Sequence, residues 1–194
     1  MKGKNVGFAI TGSFCTLKRA LVTMKDIKSE DNNVIPIISH AVAQTNTKYY
    51  DADDFRSEVA NICGNDVVFT MTGAEPVGPT GILDILIIAP CTGNTLGKLN
   101  NAVSDTPVLM AAKAHLRNGK PVLIAVSTND GLAGNFKNIG ELLNKKNIYF
   151  VPFEQDDCIK KPYSIISDFN LLIDAADAAL MSKQLQPVLK RDIE

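Results

Sequence analysis

Directly behind the apolar run Ile82–Ile88 stands Ala89-Pro90-Cys91-Thr92-Gly93-Asn94-Thr95, a string of small, hydroxyl- and amide-bearing residues that opens a helical pattern reaching Asn101. Hydroxyls, an amide and free backbone N–H groups at a helix start can hold an anion or the edge of a heteroaromatic ring. The pattern points to a ligand pocket without choosing the ligand. Three further loops follow apolar runs in the same way: Thr11-Gly12-Ser13-Phe14, Ser39-His40 and Ser127-Thr128-Asn129-Asp130. In an open α/β sheet such loops gather at the carboxyl ends of the strands, where ligands bind. The candidate ligand residues are therefore Gly12, Ser13, Phe14, Ser39, Pro90, Thr92, Gly93, Asn94, Thr95, Ser127 and Thr128.

Each candidate has a plainer reading. Thr11-Gly12-Ser13 is equally good as a turn with Ser13 as N-cap of the next helix, and Ser39 alone is a strand terminator. The glycine spacing is not G-x-G-x-x-G, which disfavours a dinucleotide site of the usual kind. His40 stands in a ligand loop, whereas His115, beside Lys113 and Arg117, reads as part of a solvated helix face. Cys91 reads as a small buried hydrophobe, although a thiol beside a helix start can have a lowered pKa. Asp156-Asp157 reads as a solvated pair. No Ser-His-Asp order or pair of carboxylates stands out, so no catalytic residue is identified.

The elements that must position these loops follow from periodicity. Val6–Ile10, Val34–Ile38, Val67–Met71, Ile82–Ile88, Val122–Val126 and Ile148–Val151 read as strands. Helical patterns run through Leu17, Leu21, Met24 and Ile27, and through Phe55, Val59 and Ile62 between Asp51 and Gly64. Others cover the stretch after Thr95, Ala111–Arg117, Asn135–Lys146 and Asp168–Lys183. Gly73–Gly81 and the polar stretch after Val151 read as loops. Strands written as unbroken Val/Ile/Leu runs and alternating with helices predict a single doubly wound, Rossmann-like α/β domain over residues 1–194, with a parallel sheet covered on both faces.

The composition sets outer bounds. A net charge of −1 with no Lys/Arg cluster argues against a nucleic-acid surface. The four cysteines, Cys15, Cys63, Cys91 and Cys158, have neither C-x-x-C nor histidine spacing, so no metal site is expected and reduced thiols in the cytoplasm fit. The start of the chain shows neither a signal-peptide pattern nor a membrane span.

Gly12-Ser13, Ser39 and Ala89–Thr95 resemble the three FMN-binding segments of the homo-oligomeric flavin-containing cysteine decarboxylase superfamily, whose central motif is Pro-Ala-Ser-Ala-Asn-Thr. Pro90, Asn94 and Thr95 match it, Thr92 keeps a hydroxyl at the serine position, and Cys91 and Gly93 replace two alanines. Within the superfamily the likeness is to the family of dipicolinate synthase B chains. It is carried by Glu75–Pro79, Ala89–Asn101, Ser104–Lys113, Ser127–Asp130 and Asn147–Phe153. The resemblance implies a flavoprotein fold and FMN, with a phosphate on Gly12, Ser13 and Ser39 and the ring near Pro90–Asn94. It also implies a homo-oligomer, a trimer or a multiple of it. It further implies an oxidoreductase role beside the synthase's A chain, with NAD(P) on that partner, forming dipicolinate in the cytoplasm of a sporulating cell from a small dicarboxylate, dihydro- or hydroxytetrahydro-dipicolinate. Lys98, Lys113 and Arg117 are the cations considered for that substrate.

Departures set the alternatives. The decarboxylases' catalytic histidine would fall near Glu75-Pro76-Val77, where none stands, and Asp156–Lys161 shows no counterpart of their substrate-clamping cysteine segment. A decarboxylase-like activity is thereby disfavoured, and a non-catalytic flavin-binding or stabilising role stays open. A flavin prenyltransferase-like enzyme fits less well, since that group's glycine-serine-glycine opening and later arginine are replaced by Gly12-Ser13-Phe14 and Ser127.

Overall fold

Apolar strands need cover on both faces, and the sheet receives it. The computed structural model describes residues 1–190. Its strands β1 (Asn5–Ile10), β2 (Asn33–Ile38), β3 (Ile85–Cys91), β4 (Val122–Thr128) and β5 (Ile148–Phe150) pair in parallel in the order β2-β1-β3-β4-β5. All seven residues of β3 are buried. Alternation along the strands divides the core. Phe8, Ile10, Ile85 and Ile87 face one side, with α1 (Leu17–Ser29), α3 (Ala52–Cys63) and α9 (Leu172–Leu180). Ala9, Leu86, Ile88 and Ile124 face the other, with α6 (Gly93–Asn100), α7 (Pro107–Arg117) and α8 (Phe136–Leu143). Burying each large aliphatic side chain contributes about 1.5–3 kcal/mol before entropy is counted.

Local chemistry sets the boundaries. Asp51 Oδ1 accepts from the N–H groups of Asp53 (2.9 Å) and Asp54 (3.3 Å) to start α3, and Gly64, at φ +65°, ends it in the left-handed region. Thr92 Oγ1 accepts from Thr95 N at 3.2 Å to cap α6, and Thr106 Oγ1 does the same for Leu109 N at 3.3 Å ahead of Pro107. Pro36 sits in β2, the edge strand, where a missing donor is tolerated.

Several sequence expectations need correction. The polar stretch after Val151 is a hairpin, β6 (Phe153–Asp157) and β7 (Lys161–Ser167), and β7 pairs antiparallel with the end of β4 through Ser127↔Ile166 and Thr128↔Ile165. The seven-stranded sheet is therefore mixed. Gly73–Gly81 is not a plain loop: a single-turn helix, α4 (Met71–Ala74), runs into it and a second, α5 (Val77–Thr80), lies within it, and Val67–Met71 contributes only one bridge, Ile37↔Val68. A further short helix, α2 (His40–Gln44), begins at the Ser39 loop. Ser13 does not cap α1: a 3-10 turn, Phe14–Thr16, intervenes and the Ser13 side chain bonds elsewhere. His115 is not solvated but fully buried at 0% exposure, because the spacing Val108, Ala111, Ala112, His115 turns it inward. Leu96 and Leu99 of α6 are buried within the chain itself. Among the described residues no helix is long and apolar enough to cross a membrane, and no cluster of metal-ligating side chains occurs.

Candidate functional site

The strand order reverses between β1 and β3, and at such a switch point the carboxyl ends of the strands splay to leave a crevice. All four sequence-selected loops lie there. Thr11, 1% exposed, ties them together: its Oγ1 donates to Pro90 O (2.8 Å) and accepts from Thr92 N (3.0 Å). This staple across β1 and β3 leaves Gly12 and Thr92 as a shared ridge with a cleft on either side.

The smaller cleft, about 260 Å³, is lined by Thr11, Gly12, Ser39, His40, Thr92, Asn94 and Thr95, with Thr106 and Leu109 behind. Ser39 precedes α2 but its side chain makes no cap bond. Its Oγ is buried and has no hydrogen-bond partner, in a residue only 8% exposed. Leaving a buried hydroxyl unpaired costs about 1–3 kcal/mol, so this atom is suited to a ligand. Gly12 borders this cleft, and a Cβ there would make an ordinary contact, 3.6 Å, with the Ala41 methyl.

The larger cleft, about 450 Å³, lies between the first loop, the end of β4 and the hairpin. Gly12, Ser13, Phe14, Thr92, Ser127, Thr128 and Asn129 line it, as do Arg19, Asp156, Lys161 and Ser164. Ser13 Oγ and Ser127 Oγ are hydrogen-bonded at 2.7 Å, and Thr16 Oγ1 donates to Ser13 O at 2.8 Å. Asp156 pairs with Lys161 at 2.7 Å, and the hydrogen bond from the ammonium to this carboxylate raises the Lys161 pKa. A still wider groove, about 630 Å³, lies between α1 and β7, where Lys190 reaches Asp168 at 2.8 Å; it holds none of the selected residues.

Ser13 and Ser39, expected on one phosphate, thus face different clefts. Pro90 and Gly93 line neither. Pro90, after a cis peptide bond, serves through its carbonyl. Gly93 leaves space that polar side chains fill: a Cβ there would lie 2.4 Å from Asn135 Nδ2, 2.6 Å from Asp130 Oδ1 and 2.7 Å from Thr128 Oγ1. These atoms form a chain, with Thr128 Oγ1 donating to Asp130, Asn135 Nδ2 to Asp130 Oδ2 (2.8 Å) and Asn138 Nδ2 to Asn135 Oδ1 (2.8 Å). Complete burial pushes the Cys91 thiol pKa up, so it is no nucleophile. Burial, joined by the Lys120 charge, holds His115 down at about 4, with Nε2 against Pro121 O at 3.0 Å.

Lys98 is paired with Asp105 at 2.7 Å, Lys113 points to Ser104, and neither they nor Arg117 line the two clefts. The cations that do line the larger cleft, Arg19 and Lys161, were not legible as site residues: one is an exposed position on α1, the other belongs to a hairpin read as a loop.

Comparison with known proteins agrees with this architecture. A family model described as Flavoprotein matches residues 1–179. The B chain of dipicolinate synthase from Bacillus subtilis strain 168 is 42% identical over 189 residues, covering 97% of this chain and 94% of that one. The crystal structure of the dipicolinate synthase B chain from Bacillus halodurans C superimposes with a TM-score of 0.90 at 44% identity, over 98% of this chain and 97% of the other. The FMN binding protein AtHal3 shares the fold, with a TM-score of 0.66 at 17% identity over 95% and 100% of the two chains.

Proposed function

From the premise that the chain belongs to the Flavoprotein family, and within it to the dipicolinate synthase B chains, we propose that it acts with the synthase's A chain to form dipicolinate in the cytoplasm of a sporulating cell, with FMN as cofactor. The starting compound in this reading is dihydro- or hydroxytetrahydro-dipicolinate, and NAD(P) belongs to the partner.

The observation that carries the cofactor assignment is the unpartnered, buried Ser39 Oγ in the cleft that Gly12 borders. With Thr95 on the same wall it suits the acceptor oxygens of a phosphate. Gly12 and Thr92, which border both clefts, would bear the middle of the molecule, with Asn94 on one side and Ser127 and Thr128 on the other. A bound flavin supplies a two-electron acceptor for an oxidation that aromatises the ring. The protein's own contribution is binding and orientation: the Thr11 staple fixes the spacing of the two strand ends, and the Ser13–Ser127 pair provides a hydroxyl whose proton can turn toward a ligand.

The test is dipicolinate formation measured with this chain alone, the A chain alone and both together, each with and without added FMN. The proposal expects product only from the pair, increased by FMN. Full activity from the A chain alone would refute it. Product from the pair that is indifferent to FMN removal would favour a stabilising role without flavin chemistry.

A further inference from the structure

We propose that the larger cleft is the carboxylate-recognition subsite of this chain, with Arg19 and Lys161 as its anion holders and a rigid ring dicarboxylate as its ligand class. The inference rests on the dipicolinate reading for the choice of diacid, and its residues are fixed by the geometry of the cleft.

Position 127 is a serine, so the end of β4 brings no cation to the crevice. Positive charge arrives instead from two other elements, Arg19 of α1 and Lys161 of β7. Arg19 has no carboxylate partner among the described residues. Lys161 is held by Asp156 at 2.7 Å. Two cations against one carboxylate leave the lining with one net positive charge. A planar guanidinium and an ammonium lining one cleft suit a carboxylate that the single acid does not already neutralise.

The rest of the lining is neutral and carries hydroxyl and amide groups. Ser13 and Ser127 carry two hydroxyl protons between them, and only one is needed for their mutual bond, so the other is free for a ligand. Ser164 Oγ lies 3.3 Å from both Thr128 O and Asn129 Oδ1 and 3.4 Å from Asp156 Oδ2 and has one proton to share among them, while Asn129 adds an amide to the lining. Thr128 is different: its hydroxyl already donates to Asp130. A ring diacid in this cleft therefore has the two cations and the free hydroxyl proton of the Ser13–Ser127 pair to meet its carboxylates. A cleft of about 450 Å³ is within the range of small-molecule sites.

The experiment is calorimetric titration of the chain with two probes, dipicolinate and its single-carboxylate analogue pyridine-2-carboxylate, with FMN titrated separately. Wild type should bind the diacid at least tenfold tighter than the monoacid. Lys161→Met and Arg19→Met should each weaken diacid binding by about tenfold, the loss of one charge-assisted hydrogen bond. Asp156→Asn should strengthen it by removing the competing acid. A merely structural ion pair predicts the same direction for Lys161→Met and Asp156→Asn, and that result would overturn the inference. So would a wild-type chain that binds neither probe, or binds both equally. Arg19→Met and Lys161→Met should still bind FMN saturably, because its phosphate is assigned to the Ser39 cleft. Diacid recognition without FMN binding would support this subsite while refuting the cofactor assignment.

Discussion

Replacing Gly93 by alanine tests whether the pocket's central helix is seated by the polar chain behind it. A methyl at that position enters a space lined by three polar atoms at 2.4, 2.6 and 2.7 Å, on Asn135, Asp130 and Thr128. These atoms are bonded to one another, so they must move together or break their bonds. The Asn135–Asp130 bond, made to a carboxylate, is worth about 1.5–3 kcal/mol. The gain in helix propensity from glycine to alanine is at most about 1 kcal/mol, and less in a first turn. The net expectation is a loss of about 2 kcal/mol, read as a lower urea midpoint at unchanged m. Asn135→Ala removes the nearest obstacle, so Gly93→Ala should cost at least about 1 kcal/mol less in that background. A Gly93→Ala protein within about 0.5 kcal/mol of wild type, or strict additivity with Asn135→Ala, would refute the reasoning.

Two further expectations follow from the same geometry and a third from the family resemblance. His115 is buried and neutral, with a folded pKa of about 4 against 6.5 for the free side chain, so the unfolded chain binds more protons between those values and stability falls as pH drops through that window. The loss between about pH 7.5 and 5.0 should be about 2 kcal/mol, and His115→Gln should flatten that part of the profile in urea titrations; an unchanged slope would contradict the assignment. Thr11→Val keeps the shape but strips Thr92 N of its acceptor, which should cost about 1–3 kcal/mol; an unchanged thermal midpoint would show the staple to be redundant. We also expect a homo-oligomer, a trimer or its multiple, so light scattering should return three or more times 20.9 kDa, and a mass of one chain would contradict that.

The parallel strands and the loops at their ends were legible because their signals are local: an apolar run, then hydroxyls and glycine. The β6–β7 hairpin was not, because of β6 only Phe153 is buried and the strand is held by pairing with β7 rather than by a hydrophobic period. Single-turn helices such as α4 and α5 are too short to show a period at all. His115 was within reach, since Val108, Ala112 and His115 share a helical face, but its charged neighbours in sequence masked it. Gly93 stood out only as a departure from a motif. Its reason lies far along the chain in Asp130 and Asn135, a contact the sequence does not show. Distance in sequence also hid the pairing of Ser13 with Ser127, which separates Ser13 from Ser39 and moves the test of the phosphate site to the latter.

The central claim, that the crevice at the ends of β1, β2 and β3 holds FMN, is tested most directly by flavin-fluorescence titration of wild type beside Ser39→Asp. Aspartate serves well ahead of a helix, so the fold should survive, as circular dichroism would verify. Its fixed charge would face the phosphate. Wild type should quench FMN fluorescence saturably, and Ser39→Asp should bind at least about 100-fold more weakly, the scale of an unpaired like charge in a buried site. Equal affinity in the two proteins, or a wild type that binds no FMN, would contradict the account.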